Sequence, residues 1–234
     1  MAIQRLSLSN ILTELLRIVG FASSTVSDWT TNANLYNIVN RYGQSIPIRM
    51  SQASQSPKRL LCDMWRTVVA SAATGTDAML VATGSSTVYL PVNCDYVVSV
   101  YDVTNKAKVE IITDIDRWHI DDIKKKDPGP PEVIELLGYM DYATDSSWRR
   151  YGTIYPATVT GTTPSFTLTY YRLPAIMPGV AIETEYPDAD PKYHSLWIYG
   201  PAAELLGPSN PAYDRYAALE KELLLDLAMV SRSS

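Results

Sequence analysis

The spacing of apolar residues at the start of the chain predicts an amphipathic helix. Its apolar face consists of residues that recur at intervals of three and four positions, namely Leu8, Ile11, Leu12, Leu15 and Val19. Ser7 or Ser9 provides an N-terminal cap, and Gly20 provides a stop. Because such a helix must bury its apolar face, the pattern requires other elements to pack against it.

Two further helices are predicted before residue 78. The second ends near Gly43 and has a rough apolar stripe formed by Trp29, Tyr36, Val39 and Tyr42. The third begins around Ser56-Pro57, with a proline in its first turn. It carries the apolar residues Leu60, Leu61, Met64, Trp65 and Val68. Residues 1–77 are therefore predicted to be helical.

Between residues 78 and 174 the pattern changes to short β-branched and aromatic segments separated by turn residues. Such segments are typical of antiparallel strands, and they lie at residues 87–91, 96–101, 108–112, 133–137, 148–155 and 165–172. The segment Asp127-Pro-Gly-Pro-Pro131 cannot continue a helix or a strand ladder, because proline lacks an N–H group. We expect it to be an exposed loop.

Helical spacing returns near the end of the chain and completes the predicted fold. Asp190-Pro191 and Asn210-Pro211 each place a capping residue before a proline, as at a helix start. The last helix has a seam formed by Tyr216, Leu219, Leu223, Leu227 and Val230. We predict an α+β fold in which a helical bundle, formed by residues 1–77 and 175–234, carries an inserted antiparallel β domain at residues 78–174.

Composition and charge exclude several classes of protein. Hydrophobic residues make up 46% and charged residues 19% of the 234 residues. A chain of this composition is too apolar to be disordered. The net charge of −5 makes a protein that holds nucleic acid over its whole surface improbable. No segment has the composition of a signal peptide or a membrane span. We therefore expect no membrane partner.

The aromatic composition indicates a large contact surface. The chain has 16 Tyr and 5 Trp against 2 Phe. Tyr and Trp suit surfaces that are apolar on one side and hydrogen-bonded on the other, as at protein interfaces. A β-rich fold that favours Tyr is the alternative explanation.

Motifs for catalysis, cofactors or metals are absent from the sequence. There is no phosphate-binding glycine loop, no G-x-S-x-G elbow and no H-E-x-x-H motif. Cys62, Cys94, His119 and His194 do not have the spacing of metal ligands. The sequence therefore predicts no catalytic residues, no cofactor and no metal ion. For His194, which follows a helix start, we expect a structural hydrogen bond.

An acidic cluster leaves one catalytic hypothesis open. Asp114, Asp116 and His119 lie in the segment with the highest density of titratable groups. They could bind a cation or transfer protons, although a solvated acidic turn explains the same residues. A hydrolase that uses Asp114, Asp116 or Glu135 requires the fold to bring two carboxylates together. Spacing alone cannot test that requirement.

A run of three lysines, Lys124, Lys125 and Lys126, precedes the proline-rich loop. It is a candidate contact for an acidic protein or for nucleic acid, or else a loop tip that aids solubility. In the last helix, acidic residues occupy the C-terminal half, where the helix dipole favours cations. Packing on a partner, or a need for acidic surface, would explain this placement.

The order of short motifs along the chain carries a resemblance. After the first helices come Tyr89-Leu-Pro91, Tyr96, Ser99-Val100, Trp118, Gly129-Pro130, Ile154-Tyr-Pro156, Tyr170-Tyr-Arg-Leu-Pro174 and Tyr193-His194. This order resembles that of the head-to-tail adaptor proteins of short-tailed and related tailed bacteriophages, the connector subunits beneath the portal ring. The likeness is strongest between residues 87 and 206.

The resemblance implies a structural virion protein. Copies of the chain would form a dodecamer-like ring that binds the portal protein on one face and a tail or nozzle protein on the other. Genomic DNA would pass through the channel of the ring without specific binding. The protein would be made in the host cytoplasm and would function at the head–tail neck of the virion.

Two sets of side chains are candidate partner contacts under this hypothesis. On the last helix they are Tyr213, Tyr216, Leu223 and Leu227, directed toward the portal or a neighbouring copy. In the middle of the chain they are Lys124, Lys125 and Lys126 with the loop at residues 127–131. The alternatives are an intramolecular helix seam and a plain solvent loop. The alternative function is a carbohydrate- or protein-binding β module that forms no ring.

Overall fold

The computed structural model describes residues 5–20, 33–56, 60–72, 74–81, 84–112, 120–142, 147–159 and 161–233. The chain divides into two compact units. One unit consists of Arg66–Arg172, and the other combines Met1–Trp65 with Leu173–Ser234. We call them the barrel unit and the helical unit.

The helices of the helical unit come from both ends of the chain. They are α1 (Leu8–Ile18), α2 (Ala33–Ala53), α4 (Leu196–Leu206) and α5 (Tyr213–Met229), together with the 3-10 turns Asp63–Trp65 and Pro191–Tyr193. The same unit contains a two-stranded antiparallel pair, β1 (Leu60–Leu61) with β10 (Arg232–Ser233). The remaining described helix, α3 (Ile120–Lys124), belongs to the barrel unit.

The barrel unit is built from eight strands that form a closed barrel. They are β2 (Arg66–Ala72), β3 (Met79–Val81), β4 (Thr87–Tyr89), β5 (Cys94–Asp102), β6 (Ala107–Ile112), β7 (Val133–Tyr142), β8 (Ser147–Tyr155) and β9 (Phe166–Arg172). Their order around the barrel is β2-β3-β4-β8-β7-β6-β5-β9. The pairs β2–β3 and β6–β7 are parallel, and the other neighbouring strands are antiparallel. Buried apolar side chains such as Val100, Ile134 and Leu168 fill the interior.

The predicted first helix is confirmed as α1. The Ser7 side chain caps it by accepting a hydrogen bond of 3.3 Å from the backbone N–H of Asn10. The helix buries Leu8, Ile11, Leu12, Leu15 and Leu16. These side chains pack in one core with residues of α2, α4 and α5. The helices at each end of the chain therefore depend on the helices at the other end for their packing.

The predicted end of the second helix at Gly43 is wrong, because α2 continues through Gly43 and Pro47 to Ala53. A Cβ atom at Gly43 would overlap the indole of Trp197 on α4. The glycine therefore lets two helices approach closely and does not end one. Packing of Ile46 and Met50, both fully buried, stabilises the helix beyond the glycine.

The predicted third helix is also wrong. Its apolar residues are divided among β1, a 3-10 turn and β2. Along β2 exposure alternates from residue to residue, so that Val68 is 61% exposed while Val69 packs against the barrel core. This alternation has the two-residue period of a strand. The tertiary contact with β9 overrides the helical spacing.

The predicted fold class, a helical bundle with an inserted antiparallel β domain, is corrected by the closed barrel. The six predicted strands are present, but β2 and β3 were missed, and without them the sheet cannot close. The two parallel pairs were missed as well, because β2 and β3 were not predicted as strands and the β domain was expected to be antiparallel throughout. Parallel neighbours need a crossover connection, which for β6 and β7 includes α3.

Candidate functional site

Strands β5 and β6 separate along part of their length and leave an opening in the barrel wall. They pair only where Val100–Asp102 of β5 lies beside Ala107–Val109 of β6. Before that point, Tyr96, Val97 and Ser99 of β5 pair with β9 alone among the described strands, and after it residues 110–112 of β6 pair with β7 alone. We call the opening between these two stretches the barrel cleft.

Irregularities in β5 explain why the two strands separate. The register of β5 against β9 shifts twice, between Cys94 and Tyr96 and again between Val97 and Ser99. A bulge bends its strand and increases the local twist. The second shift lies immediately before Val100, where the pairing with β6 begins. The bulge at this second shift therefore turns the first half of β5 away from β6.

The barrel cleft has a volume of about 610 Å³, which is within the range of small-molecule and peptide sites. Its lining combines apolar, aromatic and charged side chains: Tyr96, Val97, Val98, Ser99, Lys108, Val109, Glu110, Ile111, Leu136 and Arg150. Val109 and Leu136 are buried and form its apolar floor. Lys108 and Glu110 are exposed at its rim.

Arg150 is the polar residue that best defines the cleft as a binding site. It lies on the face of β8 that also carries Gly152 and Ile154, and Ile154 is fully buried in the barrel. The Arg150 side chain is half-buried and has no hydrogen bond or ion pair with any described residue. Removing a guanidinium from water without a partner costs free energy. Its fork of donors is therefore available to an anionic group.

Two exposed aromatic side chains extend this surface beyond the barrel wall. Tyr139 pairs directly across from Arg150, and Trp148 precedes Arg150 by two residues, so all three lie on the same face of the β7–β8 hairpin. Tyr139 is 66% and Trp148 is 68% exposed. We call Tyr139 and Trp148 the aromatic tip. Large exposed aromatics beside a cleft are typical of a recognition surface.

The opposite face of the same hairpin is anchored to the barrel. The rings of Tyr89 and Tyr142 lie 4.8 Å apart, and the guanidinium of Arg149 lies 5.3 Å from the centre of the Tyr142 ring. Arg149 is fully buried and donates a hydrogen bond of 3.1 Å to the backbone oxygen of Gly75. These contacts fix the position of the hairpin, which presents the aromatic tip on its other face.

The predicted lysine contacts lie next to strands β7 and β8, and most of their charge is neutralised within the unit. The ammonium of Lys124 is 3.4 Å from a carboxylate oxygen of Glu135 and 5.0 Å from the centre of the Tyr155 ring. Lys126 forms an ion pair of 2.6 Å with Glu132. Lys125 is exposed and has no ion pair with a described residue. In the loop that follows, Gly129 and Pro130 line a smaller pocket of about 230 Å³.

The predicted contacts on the last helix have different degrees of burial. Leu227 is 1% exposed and belongs to the core of the helical unit. Tyr216 and Leu223 are half-buried and pack against the same core, and Tyr213 is half-buried at the start of α5. The structure leaves other apolar residues exposed at the end of the helix, namely Leu225, Met229 and Val230.

Most of the residues considered for catalysis lie outside the part of the chain that the structure describes. Asp114, Asp116, Trp118 and His119 lie outside the described residues, and Glu135 is buried beside Lys124. Within the described ranges, no group of three His, Cys, Asp or Glu side chains could hold a metal ion. No described helix combines the length and apolar character needed to cross a membrane.

Burial also governs the described thiol near the cleft. Desolvation raises the pKa of Cys94 to about 12, although the positive charge of Arg150 acts in the opposite direction. The thiol is therefore protonated at neutral pH, and a protonated thiol is a poor nucleophile. Cys94 contributes packing against the barrel core.

Sequence analysis missed the residues that define this site, which are Tyr139, Trp148 and Arg150. Trp148 and Arg150 fall within a predicted strand, and their alternation indicates that they share a face. Only the register against β7 shows that Tyr139 joins them. The excess of Tyr and Trp over Phe was the available signal, since it indicated exposed aromatic surface.

Comparison with known proteins adds no family to this description. No model of a protein family matches the chain, and no curated protein matches it either.

Proposed function

We propose that this protein is a structural subunit of a head-to-tail adaptor ring in a tailed bacteriophage. The ring joins a portal protein to a tail or nozzle protein, and the function is binding without catalytic turnover. Genomic DNA passes through the channel without specific binding. The protein acts at the neck of the virion. The order of motifs along the sequence suggested this function, and the distribution of exposed apolar side chains supports it.

The observation that carries the proposal is that each unit has its own exposed apolar surface. On the barrel unit it is the aromatic tip, in which both side chains are more than half exposed. On the helical unit it is the end of α5, where Met229 is 78% and Val230 is 55% exposed. An adaptor must bind at least two partners, and exposed apolar patches of this kind mark protein interaction sites.

Charge is consistent with a channel that DNA traverses. The net charge of −5 per copy would make a ring of many copies strongly acidic. Phosphates are repelled by such a surface, so that DNA would slide without adhering. The neutralisation of Lys124 and Lys126 by neighbouring carboxylates also lowers the affinity of the lysine segment for phosphate.

A carbohydrate-binding β module is the second candidate, and the aromatic tip favours it as well. Exposed Tyr and Trp rings can stack on sugar rings, and the adjacent Arg150 could donate hydrogen bonds to hydroxyl groups. This function predicts thermal stabilisation by a glycan and no ring. It needs only the barrel unit, whereas the adaptor proposal also assigns a role to the end of α5.

Affinity capture from cells that express the chain with its native gene neighbours tests the adaptor proposal. We expect a portal protein and a tail protein to be recovered in stoichiometric amounts that resist washing with salt. The double variant Tyr139→Ser with Trp148→Ser should lose one of the two partners and keep the other, because it removes one of two apolar surfaces.

The matched control for this experiment is Val68→Ser on β2, which removes an apolar side chain that is 61% exposed and lies outside the aromatic tip. It should recover both partners. Recovery of neither partner by the unmodified chain would refute the adaptor proposal. Thermal stabilisation by a glycan that is lost in the double variant would then support the carbohydrate-binding function.

A further inference from the structure

We propose that the barrel cleft binds an extended, acidic peptide segment of another chain by strand addition. The two facing stretches of β5 and β6 provide backbone partners, and Arg150 binds a carboxylate of the segment. This inference concerns the barrel unit alone. It does not depend on ring assembly, so its test is independent of the test of the adaptor proposal.

The strands that border the cleft have open edges. A strand has two hydrogen-bonding edges, and Tyr96, Val97 and Ser99 of β5 use one of them for β9. Residues 110–112 of β6 use one edge for β7. No strand of the described residues pairs with the second edge of either stretch. Unpaired N–H and C=O groups in such an edge form a template for an added strand.

The lining of the cleft matches the alternating faces of a strand. Successive side chains of an extended segment point to opposite sides. Those that point inward would meet the apolar floor formed by Val109 and Leu136. Those near the hairpin would meet Arg150 and the aromatic tip, which share one face of β7–β8. The segment should therefore have β-branched residues at alternate positions.

Charge selects an acidic segment over a basic one. Arg150 and Lys108 contribute two positive charges to the lining, and Glu110 contributes one negative charge. Arg150 has no partner among the described residues and is half-buried, so a carboxylate brought to it would face less competition from water. A lysine at the same position of the segment would be repelled.

The experiment uses the full chain and a fluorescein-labelled probe, acetyl-Ser-Val-Glu-Val-Thr-Val-Ser-amide. Fluorescence anisotropy measures its affinity at protein concentrations up to about 1 mM. Two control peptides each differ from the probe in one respect. The first has lysine in place of glutamate. The second has N-methylated valines, which cannot donate backbone hydrogen bonds. We expect each control to bind at least about tenfold more weakly, since each loses one kind of recognition.

A second measurement locates the bound probe. Amide hydrogen exchange should slow at residues 96–99 and 110–112 when the acidic probe is added, because the added strand pairs with those edges. Arg150→Gln should weaken binding of the acidic probe about tenfold without lowering the melting temperature, since the guanidinium has no partner to lose among the described residues. Lys221→Gln removes an exposed positive charge on α5, at a residue that does not line the cleft, and should leave the affinity unchanged.

Three results would overturn the proposal. The first is that the acidic probe does not bind. The second is that the N-methylated peptide binds as tightly, because the backbone edges would then play no part. The third is that glutarate displaces the probe and binds with equal affinity, which would reassign the cleft to small carboxylates.

Discussion

Glu185 shows how a single acidic side chain organises the loop that precedes the C-terminal helices. Its carboxylate accepts hydrogen bonds of 2.7, 2.8 and 2.7 Å from the backbone N–H groups of Gly179, Val180 and Ala181. Asp188 accepts a hydrogen bond of 2.8 Å from the backbone of Ala175. The acidic residues of this loop therefore satisfy backbone donors, as carboxylates at turns and caps commonly do.

Replacing Glu185 with glutamine should lower the free energy of unfolding by about 1–2 kcal/mol, because charge-assisted hydrogen bonds are exchanged for weaker neutral ones. Glu183→Gln is the matched control, since Glu183 is exposed and has no partner among the described residues. Urea denaturation of both variants measures the difference. Equal stabilities would show that the Glu185 carboxylate contributes nothing through these bonds.

His194 links the first residues of the chain to the C-terminal half of the helical unit. It is 1% exposed, and its Nδ1 atom accepts a hydrogen bond of 3.1 Å from the backbone N–H of Leu6. Its Nε2 atom lies 3.1 Å from the backbone oxygen of Ala189. A ring that accepts at Nδ1 and donates at Nε2 is neutral. The predicted structural role of this histidine is what the geometry shows.

We expect protonation of His194 to lower the stability of the protein as the pH decreases. Burial lowers the pKa of His194 below its usual 6.5, while hydrogen bonds to Ala189 and Leu6 raise it. The unfolded chain therefore binds a proton first as the pH falls below 6.5. The stabilisation from a neutral His194 is complete above that pH and decreases between 6.5 and the folded-state pKa.

Urea denaturation of the unmodified chain and of His194→Gln at pH 7.5 and pH 5.5 tests this expectation. The unmodified chain should lose more stability between the two pH values than the variant loses, since other titrating groups are common to both. Each unit of pKa difference corresponds to about 1.4 kcal/mol when fully expressed. Identical losses in the two proteins would contradict the assignment.

At the scale of elements, the sequence pattern predicted the segments in which buried residues recur at a single regular spacing. Helix α1 and the strands β4 to β9 were predicted because their apolar spacing and turn residues agree with the final structure. Strand β2 was not predicted, because its apolar residues also fit a helical spacing. Only its pairing with β9 decides in favour of a strand. The separation of β5 from β6 was also unpredictable, since it depends on a bulge in the register with β9.

Gly200 on α4 tests the close contact between helices of the helical unit. A Cβ atom there would overlap the ring of Tyr42, which is 1% exposed and donates a hydrogen bond of 2.9 Å to Glu220. Gly200→Ala should therefore lower the free energy of unfolding by about 1–3 kcal/mol, although alanine favours helix formation. Helix α4 runs from Leu196 to Leu206 and includes Gly200 and Pro201.

Gly138→Ala is the control for the Gly200 variant, because a Cβ atom at Gly138 would meet no atom within 4 Å. Its free energy of unfolding should differ little from that of the unmodified chain. Thermal or urea denaturation compares the two variants. A Gly200→Ala protein as stable as the Gly138→Ala protein would show that Tyr42 can move away from the helix at no cost.

At the scale of the whole molecule, the chain combines a closed barrel with a helical unit that both chain ends build. Each unit has a separate core and a separate exposed apolar surface. The aromatic tip and the end of α5 are the surfaces that assembly would bury. Because such surfaces are unfavourable in water, burial against partners would stabilise the assembled state.

The mass of a complex with a portal protein decides whether this chain is, as we propose, a ring subunit of a head-to-tail adaptor. Mass photometry of the complex recovered by affinity capture, followed by electron microscopy, counts the copies of this chain. We expect a closed ring of many copies, twelve for a dodecamer, on one face of the portal. A complex with a single copy of this chain, or a portal that binds none, would rule out the ring.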